Sequence, residues 1–192
     1  MGIELKNVHF SYLGSSEGAL EDVNLSIRDG DFVVLVGESG CGKTTITRLI
    51  NGISPYYYKG KLQGEVLLDG IPVKTMKSYE LSRMVGSVFQ NPRTQFFNTD
   101  TDSELAFGLE NMGVDAEKIN RRLDEVTDIL DIHELRGRDI FRLSGGEKQK
   151  IAFAGIYATN PKIYVLDEPS SNLDEQGIVE LQKCLELNWC SV

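Results

Sequence analysis

Asp31-Phe32-Val33-Val34-Leu35-Val36 runs straight into Gly37-Glu38-Ser39-Gly40-Cys41-Gly42-Lys43-Thr44, and this stretch decides the fold. The continuous β-branched run predicts a strand over Asp31–Val36 that is covered on both faces, as strands of parallel sheets are. The eight residues after it form a complete phosphate-binding loop, and a helical stretch over Lys43–Asn51 follows. Glycines let the backbone turn tightly and aim successive N–H groups at phosphate oxygens. The helix start adds the positive end of its dipole. Gly37, Glu38, Ser39, Gly40, Cys41 and Gly42 therefore shape a nucleotide site that continues into Lys43, Thr44 and Thr45. Lys43 is expected to reach the β- and γ-phosphates, and the Thr44 hydroxyl to ligate Mg²⁺. Cys41, lying in that loop near a helix start, is expected to be a reactive thiol that bound nucleotide shields.

Outward from the loop, strands alternate with helices. Upstream, Ile3–Phe10 and Val23–Ile27 alternate apolar and polar residues around the Gly/Ser-rich tip 14–18, which predicts antiparallel β. Downstream, Lys61–Leu68 and Val85–Phe89 read as strands. The pattern between Thr101 and Ile132 is helical, and Ile119, Leu123, Val126 and Leu130 fall on one stripe behind a capping Asp115. A further helix is expected after Gly145-Gly146, a buried strand over Lys162–Leu166 and a last helix over Glu175–Leu187. The whole predicts an α/β fold: a parallel-sheet core, an N-terminal antiparallel β subdomain and a helical insert.

Composition narrows the function classes. Hydrophobic residues make up 41% and charged residues 26%, the balance of a globular chain rather than a disordered one. A net charge of −9 disfavours a general nucleic-acid binder and direct adsorption to an anionic membrane surface. Cys41, Cys184 and Cys190 show no metal-ligand spacing, which suits a reducing cytoplasmic compartment. No apolar run approaches the length of a membrane span.

A second motif is Ile163-Tyr164-Val165-Leu166-Asp167-Glu168. Two acids at the carboxyl end of a strand are, alone, most simply a solvated turn. Beside a phosphate loop they lie where an open α/β sheet forms its ligand crevice. Asp167 is then the candidate for holding Mg²⁺, and Glu168 the candidate general base for the attacking water.

Leu143-Ser144-Gly145-Gly146-Glu147-Lys148-Gln149 completes the set, and with it the chain resembles the ABC ATPase family of P-loop NTPases. Small residues at a helix start form a second anion site there. The resemblance implies that Ser144, Gly145, Gly146 and Glu147 face the γ-phosphate of an ATP held by a second ABC ATPase subunit, identical or not. It implies that Gln90 senses Mg²⁺, the attacking water and a transmembrane partner. It makes Ser171-Asn172-Leu173-Asp174 the D-loop, and places Tyr12 where an aromatic stacks on adenine, although a tyrosine ending a strand serves equally in packing. The implied subdivision is one ATPase domain over 1–192, with a core of 1–90 and 159–192 and a helical subdomain of 91–158.

The short spacing between Gln90 and Ser144 leaves no room for coiled-coil arms. Phe89-Gln90-Asn91-Pro92, Gln95-Phe96-Phe97 and Glu104–Asn111 are similar to the ATPases of energy-coupling-factor importers of vitamins and of metals such as cobalt or nickel. That likeness implies a transmembrane coupling protein, a substrate-capturing membrane protein and a location on the cytoplasmic face of the cell membrane. A soluble ABC ATPase acting on nucleic acid or ribosomes is the rival reading, and the acidic balance weighs against it. One departure concerns the end of the chain. The family's switch histidine has no counterpart after Glu168, so the 192 residues are expected to bind MgATP without turning it over. A hydrolysis-deficient fragment is therefore a further alternative.

His9 and His133 stand outside these groupings and read as surface or packing residues. Arg121-Arg122 and Arg136/Arg138 read as solvated charges. Tyr56-Tyr57-Tyr58 reads as loop packing, with a partner-facing aromatic patch as the alternative.

Overall fold

The computed structural model describes residues 2–15, 17–91 and 94–170, and beyond these 173, 175, 178–179 and 182–183. The chain divides into two compact units, 1–85 and 86–192. The proposed D-loop and the expected last helix lie largely outside the described residues.

In the first unit, β1 (Gly2–Tyr12), β2 (Leu20–Arg28), β3 (Gly60–Leu68) and β4 (Ile71–Pro72) form an antiparallel sheet in the order β2-β1-β3-β4. Helices α1 (Lys43–Ile50) and α2 (Ser78–Met84) belong to the same unit. Strand β1 carries its apolar residues at odd positions up to Leu5 and at even positions from Val8. A regular strand would turn half of them to solvent. A β-bulge corrects this: the register with both neighbours slips between Leu5 and His9, and Asn7 takes a φ of +50°. Ile3, Leu5, Val8 and Phe10 are consequently all buried. Gly64 on β3 sits against the bulge with φ +83°, and a Cβ there would lie 2.2 Å from the Asn7 carbonyl oxygen.

The second unit opens with β5 (Val85–Val88), which pairs with β6 (Ile163–Leu166). Between them come α3 (Thr101–Asn111), α4 (Ala116–Leu130) and α5 (Gly145–Ala158). The expected stripe of α4 is the buried one: Ile119, Leu123, Val126 and Leu130 join Leu105, Leu109, Ile151, Phe153 and Ala154 in one core. Glycines let α3 and α5 approach closely, since a Cβ on Gly108 would lie 2.5 Å from Thr159 Cγ2.

The expected strand over Asp31–Val36 is not observed. Residues 31–38 have no regular secondary structure, and Val33, Val34 and Val36 are 43, 64 and 88% exposed. A strand exists through its ladder of hydrogen bonds, and neither sheet among the described residues includes a neighbour for this segment. The β-branched run records a preference for burial, which by itself does not make a strand.

Leu105 is fully buried in the α3–α5 core. Leu105→Ala is expected to destabilise the second unit by about 2–5 kcal/mol, and Phe141→Ala at an exposed site by less than about 0.5 kcal/mol. Urea unfolding of both variants checks the contrast.

Candidate nucleotide site

The phosphate loop is held open by glycine geometry. Gly40 and Gly42 take φ values of +83° and +101°, and α1 begins at Gly42 with no side-chain cap. A helix start without a side-chain cap presents the positive end of its dipole to an anion. Gly42 is also pressed onto the sheet: a Cβ there would lie 2.6 Å from Leu20 Cδ2 and 2.8 Å from the Ala19 carbonyl oxygen. At Gly37 a Cβ would meet Cys41 Sγ at 2.8 Å. In the loop proposed to take phosphate, a side chain is thus excluded at Gly42 and crowded at Gly37.

Lys43 lies across the loop, its Nζ donating to the carbonyl oxygens of Gly37 and Glu38 at 2.8 Å each and lying 3.8 Å from Cys41 Sγ. Cys41 is exposed, as expected for a loop thiol. Tyr12 ends β1 with its ring edge-on to Phe10. Its hydroxyl lies 3.0 Å from Thr45 Oγ1 and accepts from Arg48 Nη1 at 3.2 Å, tying the end of the strand to α1. The Arg48 guanidinium also lies 4.0 Å above the Tyr58 ring, while Tyr57 stays 79% exposed.

In the second unit, β5–β6 pairing brings the other expected residues together. The Asp167 N–H donates to the Val88 carbonyl oxygen at 3.0 Å, and beyond it Gln90 Nε2 donates to Glu168 Oε2 at 2.8 Å. Glu168 holds a φ of +45°, a left-handed backbone that is uncommon for a non-glycine residue. That conformation aims its carboxylate at the Gln90 amide. Gln95 clasps the end of β5 from outside, its Oε1 accepting from Phe89 N–H and its Nε2 donating to the Ser87 carbonyl, both at 3.3 Å.

The Ser144-Gly145-Gly146-Glu147 segment is a capping box at the start of α5. Ser144 Oγ accepts from the Glu147 N–H at 3.2 Å, and Glu147 Oε2 accepts from the Ser144 N–H at 2.6 Å. That backbone hydrogen bond, with Arg138 adding to it, holds the Glu147 carboxyl below the usual glutamate range. His9 and His133 are exposed residues, as expected.

Three arginines are more than solvated charges. Arg122 donates to the carbonyl oxygens of Tyr157 and Ala158 at the end of α5. Arg136 joins Asp102 and Thr127, and Arg138 Nη1 donates to Glu147 Oε1 at 2.9 Å. Glu104, quoted above only within a family-like segment and given no role, is buried, and its Oε2 accepts from the N–H groups of Phe97 and Asn98. Their partners lie too far along the chain, or in loops too irregular, for any periodic pattern to reveal.

Lys43→Ala removes a charge-assisted phosphate contact, so it should weaken MgATP binding by ~1.5–3 kcal/mol, roughly ten- to a hundredfold in Kd. Titration calorimetry that returned an unchanged affinity would exclude the loop as the phosphate site. Maleimide labelling of Cys41 should slow when MgATP is present; equal rates would place the thiol away from the nucleotide.

The profile of the ABC transporter family matches residues 20–171. A Treponema denticola protein, provisionally named an ABC transporter ATP-binding protein, is 55% identical over 184 residues, covering 96% of this chain and 38% of the relative. A Pyrococcus abyssi protein with the same provisional name is 40% identical over 185 residues, 96% of this chain and 66% of its own length. The chain therefore spans well under half of the Treponema relative. Among solved structures, cbiO1 from Clostridium perfringens, part of the ABC transporter complex cbiONQ, superposes with a TM-score of 0.85 at 29% identity, covering 98% of this chain and 73% of that one. The ATP-binding cassette MJ0796, in a dimeric post-hydrolysis state bound to ADP and Pi, gives 0.79 at 27% identity, covering 96% and 81%. Both share the P-loop NTPase fold of the cassette, with its antiparallel β subdomain, parallel sheet and helical part. The chain belongs to the ABC transporter family, as an ATP-binding cassette.

Proposed function

We propose that this cassette hydrolyses ATP to energise a membrane transporter, of the energy-coupling-factor type that imports a vitamin or a transition-metal ion. The observation that carries the hydrolytic part is the Gln90–Glu168 hydrogen bond at the end of the β5–β6 pair. It presents a carboxylate already oriented by an amide, as a general base requires. Glu168 takes a proton from water as the water oxygen bonds to the γ-phosphorus and the bond to the β-phosphate oxygen breaks, releasing ADP and phosphate. Lys43 and the loop amides bear the charge that develops on the phosphate oxygens. Thr44, Gln90 and Asp167 are the residues proposed to hold Mg²⁺, which when bound neutralises β- and γ-phosphate charge.

The transport reading rests on the likeness to cbiO1 and on the sequence around Gln90 and Gln95. It assigns the chain a second cassette as dimer partner, with Ser144–Glu147 facing that partner's ATP. It also assigns a transmembrane coupling protein and a substrate-capture membrane protein that hold the cassette at the cytoplasmic face of the membrane. None of the helices among the described residues is long and apolar enough to cross a membrane, which fits attachment through such partners.

In the intact protein, Glu168→Gln should lower phosphate release by about 10²–10⁴-fold, the usual contribution of a general base, while MgATP binding persists. Turnover that survives the substitution would remove Glu168 from the reaction.

A further inference from the structure

The start of α5 carries a contradiction that the motif alone does not resolve. The proposed anion site over Ser144–Glu147 includes a carboxylate, that of Glu147 itself, within one helical turn of its glycines. That carboxylate is committed to capping Ser144 N–H and cannot turn away without opening the box. A negative charge held this close repels a γ-phosphate through a partly buried path, where screening is weak.

We propose that Arg138 is a positioning residue for this site: its guanidinium neutralises Glu147 and so keeps the start of α5 receptive to the γ-phosphate of an ATP bound by a second cassette. This rests on the reading of Ser144–Gly146 as the partner-facing site. The geometry is built for the task. Arg138 Nη1 donates to Glu147 Oε1, the oxygen that the capping box leaves over, so one carboxylate serves both partners. The Arg138 backbone is fixed by Thr101, which is fully buried: the Arg138 N–H donates to Thr101 Oγ1 at 3.1 Å, and the Thr101 N–H donates to the Arg138 carbonyl at 3.0 Å. The bridge between Asp100 and Asp139 and the Ile140 N–H bond to the Thr99 carbonyl extend the same antiparallel pairing of 99–101 with 138–140. Neighbouring cations have other duties. Lys148 Nζ donates to the carbonyl oxygens of Leu143 and Phe141, and Arg142 pairs loosely with Asp139.

The test uses the intact protein with Glu168→Gln to accumulate the ATP-bound dimer, and reads the MgATP concentration for half-maximal dimer formation by sedimentation. Arg138→Gln should raise that concentration about tenfold, the effect of one uncompensated partly buried charge. Arg138→Lys should restore most of it. Adding Glu147→Gln to Arg138→Gln should bring the midpoint back, because no charge is left to neutralise. MgADP affinity of the monomer should not move in any of these variants. A purely structural staple predicts the opposite pattern: a lower Tm for Arg138→Gln and no rescue by Glu147→Gln. That result, or an unchanged midpoint for Arg138→Gln, overturns the proposal. Ser144→Arg serves as the separate control. If it leaves dimer formation intact, the partner-facing reading of Ser144–Gly146 itself fails; if it blocks the dimer while Arg138→Gln does nothing, only the role of Arg138 fails.

Discussion

The proposed nucleotide site sets one constraint on the first unit: a polyphosphate is best met by backbone N–H groups at a helix start that carries no side-chain cap. The chain satisfies it by starting α1 at a glycine in left-handed conformation without a side-chain cap. That glycine is not a free hinge. It is seated against Ala19 and Leu20 so tightly that a methyl group would strike backbone. The antiparallel sheet therefore positions the loop directly, through the first residue of β2, and Tyr12 repeats the tie from the end of β1 through Thr45. The β1 bulge matters for the same reason. It keeps Val8 and Phe10 inside the sheet, and so fixes where the strand delivers Tyr12.

The second unit applies a different principle to its two functional segments. Several polar groups that must hold a pose are given a partner outside their own strand or helix. Glu168 is held by Gln90, the end of β5 by Gln95, the Phe97–Asn98 segment by the buried Glu104, and Glu147 by Arg138. Arg122 closes the far end of α5 by donating to its last carbonyl oxygens. The helix carrying Ser144–Gly146 is thus constrained at both ends. A site that acts by charge placement needs such rigidity, since catalysis of phosphoryl transfer is mainly positioning and electrostatics.

The motifs were legible because each packs its chemistry into consecutive residues: a glycine-bent loop, two acids ending a strand, small residues opening a helix. The α4 stripe was legible because burial on a helix leaves a period of 3.6. What escaped the sequence depends on separation along the chain. Arg136, Arg138 and Arg122 read as solvated charges because, apart from Glu125 beside Arg122, their acceptors lie 9 to 36 residues away, some of them main-chain carbonyls. The bulge at Asn7 was visible only as a parity change, which a strand-length pattern passes over. The run 32–36 shows the reverse error. Its residues record a demand for cover, but pairing is what makes a strand.

The proposed function stands on ATP being shared between the phosphate loop of one cassette and the Ser144–Glu147 segment of another. Mixing complementary variants offers a direct probe. In the intact protein carrying Glu168→Gln, Lys43→Ala disables the phosphate loop and Ser144→Arg the opposite face. Neither variant alone should form a dimer in MgATP, whereas an equimolar mixture should, because pairing the two leaves one shared site with both faces whole. A mixture that stays monomeric, or dimer formation by either variant alone, would contradict the shared site.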